Sequence, residues 1–250
     1  MKYCETHPPN LDLIYLFHTM SKRNKLQKFA ENLAFHHVFE NFDISNPQLI
    51  GQHGKEVDMK GVWGSDFFKN SNPITLELAC GRGEYSLGLA RRYPNRNFIG
   101  VDIKGARIWR GATNAIDENL ENVAFLRTRI EIVDRFFEKG EISEIWITFP
   151  DPFLKKGKSN RRLTAPIFLD LYKKMLPPGG VIHLKTDSPE LYEFSLEVLA
   201  EQSEIILEYQ NDDIYSGPLP IPELDIKTYY EKMHLANGLT IKYVCFKLGV

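Results

Sequence analysis

Cysteine is scarce in this chain: three in 250 residues, at Cys4, Cys80 and Cys245. They lie far apart and form no CxxC pair, which argues against a disulfide framework or a cysteine-based zinc site. A reducing compartment, the cytoplasm, is the natural reading. A long apolar run is also missing; none approaches the roughly 20 residues needed to span a bilayer. The stretch from Leu11 to Met20 is apolar, but Asp12 interrupts it and no small-residue cleavage site follows, so it does not read as a signal peptide. Met20 opens a polar, basic segment, and residues 1–19 are expected to be an extension or a disordered tail. Net positive charge is absent too, the formal charge being −2. Contact with a polyanion must therefore come from local patches. Two such patches exist: Lys22, Arg23, Lys25 and Lys28, and the loop from Lys155 to Arg162. His183 and the pair His36-His37 have no ligand-spaced partners, and no metal is assigned.

What is present is an ordinary globular composition, 43% hydrophobic and 26% charged, enough for a full core at this length. Residues 20–72 lack sustained periodicity and read as an N-terminal arm with one short helix near Leu26–Leu33. From Pro73 the pattern changes. Short apolar runs (ITLELAC, NFIGVDI, VAFLRT, EIWITF, VIHLKT) alternate with helical stretches, which predicts a parallel sheet covered by helices. The runs EIILEYQ and LTIKYVCFKL then close the chain as two strands around a proline-containing insert. Five strand–helix units plus a C-terminal antiparallel hairpin predict an α/β, Rossmann-like, mostly parallel sheet of the class I methyltransferase type over residues 73–250.

The first run ends in Glu77-Leu-Ala-Cys-Gly-Arg-Gly-Glu84. Gly81 and Gly83 allow a tight turn and close approach of backbone to ligand. Ser86 stands where a dinucleotide fingerprint wants a third small residue, so this ExxxGxG form resembles a S-adenosylmethionine loop. A plain strand–turn–helix needing two glycines is the alternative. Asp102 ends the second run about 20 residues beyond the glycines, where an acid can accept hydrogen bonds from both ribose hydroxyls of an adenosine.

The fourth run leads into FPDPFLKKGKSNRRL, residues 149–163. Ligands of open α/β sheets bind at the C-terminal ends of the strands, so Asp151, framed by two prolines, stands at the expected reaction centre. The prolines restrict the backbone and lower the entropy cost of holding that carboxylate. Lys155, Lys156, Lys158, Arg161 and Arg162 follow with no acid among them, a loop suited to phosphates. Thr186-Asp187 ends the fifth run at the same edge. Thr228-Tyr229-Tyr230-Glu231 lies in the insert, and Thr228 with Glu231 also fits a helix capping box.

Taken together, these segments resemble the tRNA (guanine-N7)-methyltransferase family in its single-chain bacterial form, over roughly Pro73 to the C-terminus. FPDP–KK–RRL is the most specific marker; LKTD (184–187) and Thr228-Tyr-Tyr-Glu231 follow in the same order. The resemblance implies methyl transfer from S-adenosylmethionine, with S-adenosylhomocysteine as product, to N7 of a guanine in the tRNA variable loop. It implies that Glu77, Gly81, Gly83, Asp102, Asp151 and the Arg129-Ile130 position contact the cofactor, with Asp151 catalytic. Lys155, Arg161, Arg162, Asp187, Thr228, Tyr229, Tyr230 and Glu231 are expected on the substrate. The chain departs from the family at Phe153 (usually tryptophan), at Lys158 (usually histidine) and at Arg129-Ile130 (usually Asp-Ala). Arg129 has donors only and cannot accept from an adenine amine; either nearby backbone reads the adenine or Arg129 turns toward RNA. The expected partner is tRNA, with no membrane and no obligate protein partner, the protein being a monomer or homodimer. The PDPF turn leaves an N6-adenine or other amino methyltransferase as an alternative, and a catalytically inert tRNA-binding scaffold as another.

Overall fold

The computed structural model describes residues 23–249; the expected tail at residues 1–19, Cys4 and Lys22 lie outside the described residues. Five strands rise in parallel at its centre: β4 (Ile74–Leu78), β5 (Asn97–Asp102), β6 (Val123–Arg127), β7 (Ile142–Thr148) and β8 (Gly180–Thr186). They sit in the order β6-β5-β4-β7-β8. β9 (Ile205–Asn211) and β10 (Lys242–Leu248) complete the sheet, with β10 inserted between β8 and β9 and antiparallel to both. The expected antiparallel C-terminal hairpin is present.

Strand side chains alternate between two faces, and two separate apolar clusters result. Ile99, Val101, Ala124, Leu126, Ile145 and Ile147 point into one. That face is covered by α4 (Pro166–Tyr172) and α5 (Pro189–Ala200), through residues such as Leu169, Tyr172 and Leu191. Phe98, Val123, Phe125 and Trp146 point into the other, together with Tyr85 and Leu87 of α2 (Glu84–Arg92) and Ile108 and Ala112 of α3 (Gly105–Asp117). Pro166 and Pro189 each stand at the head of a helix, where a missing N–H costs nothing. The proline-containing insert packs against the same face as α2 through Ile214 and Leu224. It carries α6 (Tyr229–Ala236), capped by Thr228 through the Glu231 N–H.

Residues 20–72 were expected to be an arm with one helix. That helix forms as α1 (Lys25–Asn32), capped by Asn24 in a reciprocal pair with Gln27, and it packs against α3. The same segment also contributes β1 (Val38–Glu40), β2 (Leu49–Ile50) and β3 (Glu56–Val57). β1 pairs parallel with β6, and β2 and β3 extend the sheet antiparallel to a total of ten strands among the described residues. Phe39, Leu49, Trp63 and Phe68 join the main core, and the Trp63 Nε1–H donates to the Phe136 carbonyl at 2.8 Å. Strands of two or three residues are too short to show a period, which is why the sequence pattern hides them. No helix among the described residues is long and apolar enough to cross a membrane.

Candidate active site

The parallel strands all end on one edge, and their register brings the expected residues there. Glu77 is opposite Gly100 and Trp146, Asp102 is opposite Arg127, and Thr148 is opposite Lys185. After β4 the chain turns sharply, with Ala79, Gly81 and Gly83 all at positive φ (59°, 59° and 66°). A Cβ on Gly83 would lie 2.4 Å from the Phe125 ring, so only glycine fits between turn and sheet. Nothing lies within 4 Å of a Cβ built on Gly81, so the space over that residue is open.

Glu77 is buried beneath this turn. Its carboxylate accepts from the Ser86 N–H (2.8 Å), the Ser86 hydroxyl (2.5 Å) and the Thr148 hydroxyl (2.6 Å). Burial outweighs these bonds and pushes its pKa up to about 7. Ser86 thus has a function besides replacing a third glycine: with Thr148 it fixes Glu77. Asp102 is nearly buried, and its two oxygens accept from the Gly81 N–H (2.9 Å) and the Lys104 N–H (2.7 Å). The carboxylate therefore ties the end of β5 to the glycine turn while retaining further acceptor capacity.

Asp151 stands in a different setting. It is exposed, and among the described residues its carboxylate is bonded only to the Phe153 N–H, at 3.1 Å. The turn that carries it is strained on both sides, with Phe149 at φ 49° and Phe153 at φ 43°. Arg162 holds that strain in place. Its guanidinium is buried, donates to the Pro152 carbonyl (2.9 Å) and the Phe153 carbonyl (3.3 Å), and lies 4.5 Å from the Phe194 ring centre. Arg162 was expected on the substrate; in the structure two of its nitrogens donate to the turn that carries Asp151. Lys155 and Arg161 remain exposed. Arg129 is exposed and pairs with Glu131 at 3.0 Å, and Ile130 lies beside it, half-buried.

At the next strand end Asp187 is half-buried, with His234 Nδ1 3.5 Å away. Lys185, one strand position before Thr186, is wholly buried. Its ammonium meets Glu231 Oε1 at 2.7 Å and donates to the carbonyls of Leu224 (2.9 Å) and Ile226 (3.2 Å). The Tyr215 hydroxyl also donates to Glu231, at 2.6 Å. Glu231, expected on the substrate, is as fully buried as Lys185, and its acceptors are spent on locking the insert to β8. Thr228, also expected there, caps α6. Tyr229 and Tyr230 stay open, 54% and 43% exposed. His183 stacks on Trp146 in the core, with ring centroids 4.0 Å apart.

Two adjoining cavities follow this edge, sharing Ala79, Arg107 and Phe149. One, of about 410 Å³, is bordered by Asp102, Thr128, Arg129, Ile130, Asp151 and Arg161. The other, of about 450 Å³, is bordered by Glu77, Gly81, Thr148 and Thr228 to Tyr230. Asp187 and Lys155 border neither. Sequence reasoning missed Thr148, Ser86, Ile103 and Arg107. Ile103 was counted in the second apolar run, but the strand stops at Asp102 and leaves Ile103 54% exposed.

The architecture has solved counterparts. A 16S rRNA methyltransferase, KamB, superposes with a TM-score of 0.60 at 14% identity, covering 78% of this chain and 97% of its own. A family model described as "Putative methyltransferase" matches residues 71–244. A tRNA (guanine-N(7)-)-methyltransferase of Bacteroides fragilis is 49% identical over 226 residues, 90% of this chain and 86% of the relative. Its namesake from Porphyromonas gingivalis is 51% identical over 218 residues, 86% of each chain. The chain belongs to the tRNA (guanine-N7)-methyltransferase family.

Proposed function

We propose that this protein transfers a methyl group from S-adenosylmethionine to N7 of a guanine in the variable loop of tRNA. The observation that carries the reading at the site is Asp151: an exposed carboxylate, on a turn held under strain, at the rim of the cavity that also contains Asp102. The residues present fit the cofactor. Asp102 would accept from the ribose hydroxyls, Ile103 and Ile130 offer apolar surface to an adenine, and the open space over Gly81 admits the chain of the amino acid. Glu77 lies under that space and would face the cofactor's positive groups. Arg129 is engaged by Glu131, so the adenine amine would be read by backbone at Thr128–Ile130 rather than by a side-chain acceptor.

The cofactor supplies an electrophilic methyl group. N7 of guanine presents a lone pair and carries no proton at neutral pH, so no general base is needed. The protein has to align N7 and to stabilise the positive charge that the purine gains. Proximity and alignment account for much of such a barrier, and a fixed carboxylate beside the developing cation supplies the electrostatic part. Asp151 would do both: it orients the base and balances its charge. Arg162 and the two prolines fix where it points. Asp187 would select guanine by accepting from N1–H and the amine. Lys185 and Glu231 act one step back, by fixing the segment that carries Tyr229 and Tyr230.

An amino methyltransferase would need Asp151 to take or share a proton, whereas guanine N7 uses only its charge. The protein would act in the cytoplasm, as a monomer or homodimer without an obligate protein partner. The test is transfer from labelled S-adenosylmethionine to unmodified tRNA, with the product nucleosides resolved by mass spectrometry. The expected product is 7-methylguanosine at one variable-loop position. Methylated adenosine, or cofactor binding without transfer to any tRNA, would contradict the reading.

A further inference from the structure

The larger of the two cavities is bordered by a cluster of positive charge. Four cations surround it: Lys28 from α1, Arg82 from the glycine turn, and Arg107 and Arg110 from α3. Arg107 and Arg110 are three residues apart and so share one helix face. None of the four makes an ion pair among the described residues, whereas Arg91, Arg92 and Arg96 on and after α2 all do. The acids at the cavity are already engaged: Glu77 by Ser86 and Thr148, and Glu84 by the Tyr229 N–H at 2.8 Å.

Two of the four cations rest on aromatic rings instead. The Arg82 guanidinium lies 5.5 Å from the Tyr229 ring centre, and the Lys28 ammonium lies 4.7 Å from that of Trp109. An Arg107 nitrogen is 3.5 Å from the Tyr230 hydroxyl. Tyr229 and Tyr230 meet edge to face, 5.6 Å between centroids, and both stay open to solvent. Four like charges around one cavity give it a positive potential that favours an anionic occupant. Cations combined with exposed aromatic faces form the pattern that grips single-stranded nucleic acid, with phosphates on the cations and bases on the rings.

We infer that this cavity holds the RNA strand flanking the target guanine, its phosphates on Lys28, Arg82, Arg107 and Arg110 and an unstacked base against Tyr229 and Tyr230. The inference rests on the proposed action on tRNA and adds a second, separate grip to it. Arg161, from the basic loop, borders the other cavity together with Asp151. The strand would then be held on both sides of the reacting base. One phosphate or one carboxylate needs fewer than four cations, so the cofactor's own carboxylate does not account for the set.

The test uses the full chain with Lys28→Gln and Arg110→Gln, both outside the glycine turn itself. Binding of an unmodified tRNA transcript is measured across a salt series, and binding of S-adenosylmethionine alone is measured by calorimetry. Each variant is expected to weaken tRNA binding several-fold near 0.1 M salt. Each should also reduce the slope of log affinity against log salt by about 0.7–0.9, the value of one phosphate contact. Cofactor affinity should stay within about twofold, and Arg110→Lys, which retains the charge, should keep the wild-type slope. Unchanged tRNA affinity and slope would overturn the inference, and weakened cofactor binding alone would reassign the cations to the cofactor's carboxylate. Failure of the wild type to methylate a tRNA that it binds would instead count against the methyl-transfer reading, leaving the salt series to judge the grip.

Discussion

Asp151 and Glu231 are two carboxylates at one edge of the sheet, each within a segment that marks the family, and the fold treats them in opposite ways. Asp151 is exposed and, among the described residues, bonded only to its own turn. Glu231 has no exposure and is locked by Lys185 and Tyr215. The difference separates two kinds of motif residue. One kind is open to solvent and has few partners among the described residues; the other spends its acceptors on holding the frame. Glu231 belongs to the second kind because Lys185 would otherwise be a buried, unpaired cation. Arg162 and Asp187 repeat the contrast, since Arg162 grips the carbonyls of the Asp151 turn while Asp187 retains access to solvent.

If that contrast is right, breaking the buried side should cost stability and breaking the open side should cost rate. The largest effect is expected at the buried ion pair. Lys185→Met strands Glu231 and should destabilise the protein by about 3–5 kcal/mol, the usual cost of removing one partner of such a pair. Replacing both, as Lys185→Met with Glu231→Leu, should recover much of that loss; denaturant unfolding of the three proteins decides it. A double variant as unstable as Lys185→Met would assign the loss to something other than the orphaned charge.

Next in size is the effect of pH on Glu77. Burial raises its pKa to about 7, above its ordinary value of 4.5. Between those values the unfolded chain gives up a proton that the folded chain keeps, so stability falls as pH rises through this window, by about 3 kcal/mol in all. Glu77→Gln should flatten that part of the curve, measured as unfolding free energy at pH 4.5 and pH 7.5. An equal fall in the variant would show that another group is responsible. Arg162→Gln should act more weakly, destabilising by about 1–3 kcal/mol through the two carbonyls that it leaves without donors. It should also slow methyl transfer more than it weakens tRNA binding, because it frees the Asp151 turn. A variant with wild-type single-turnover rate would remove Arg162 from the supports of that turn.

The sequence made the central sheet legible because each parallel strand is buried on both faces and reads as an apolar run. The turn at Gly81 and Gly83 and the spacing to Asp102 were legible for a similar reason, since backbone geometry there restricts residue type. The strands at Val38–Glu40, Leu49–Ile50 and Glu56–Val57 were not, being too short to carry a pattern. Nor was the division of labour within the motifs. A motif gives the residue but not its direction, and the inward aim of Arg162 depends on Phe194, thirty-two positions further along, beneath its guanidinium. Lys28 was legible as part of a basic patch, but Arg82, Arg107 and Arg110 join it only once α1 is packed on α3 and the four face one cavity.

The most direct measurement is the single-turnover rate of methyl transfer to tRNA by Asp151→Asn, with its melting temperature and cofactor affinity taken alongside. The substitution keeps the shape and removes the charge. A fall of about 10²-fold or more in rate, with stability and cofactor binding unchanged, is the predicted result. A rate equal to wild type would contradict the role of Asp151 as the carboxylate that balances charge on the methylated guanine.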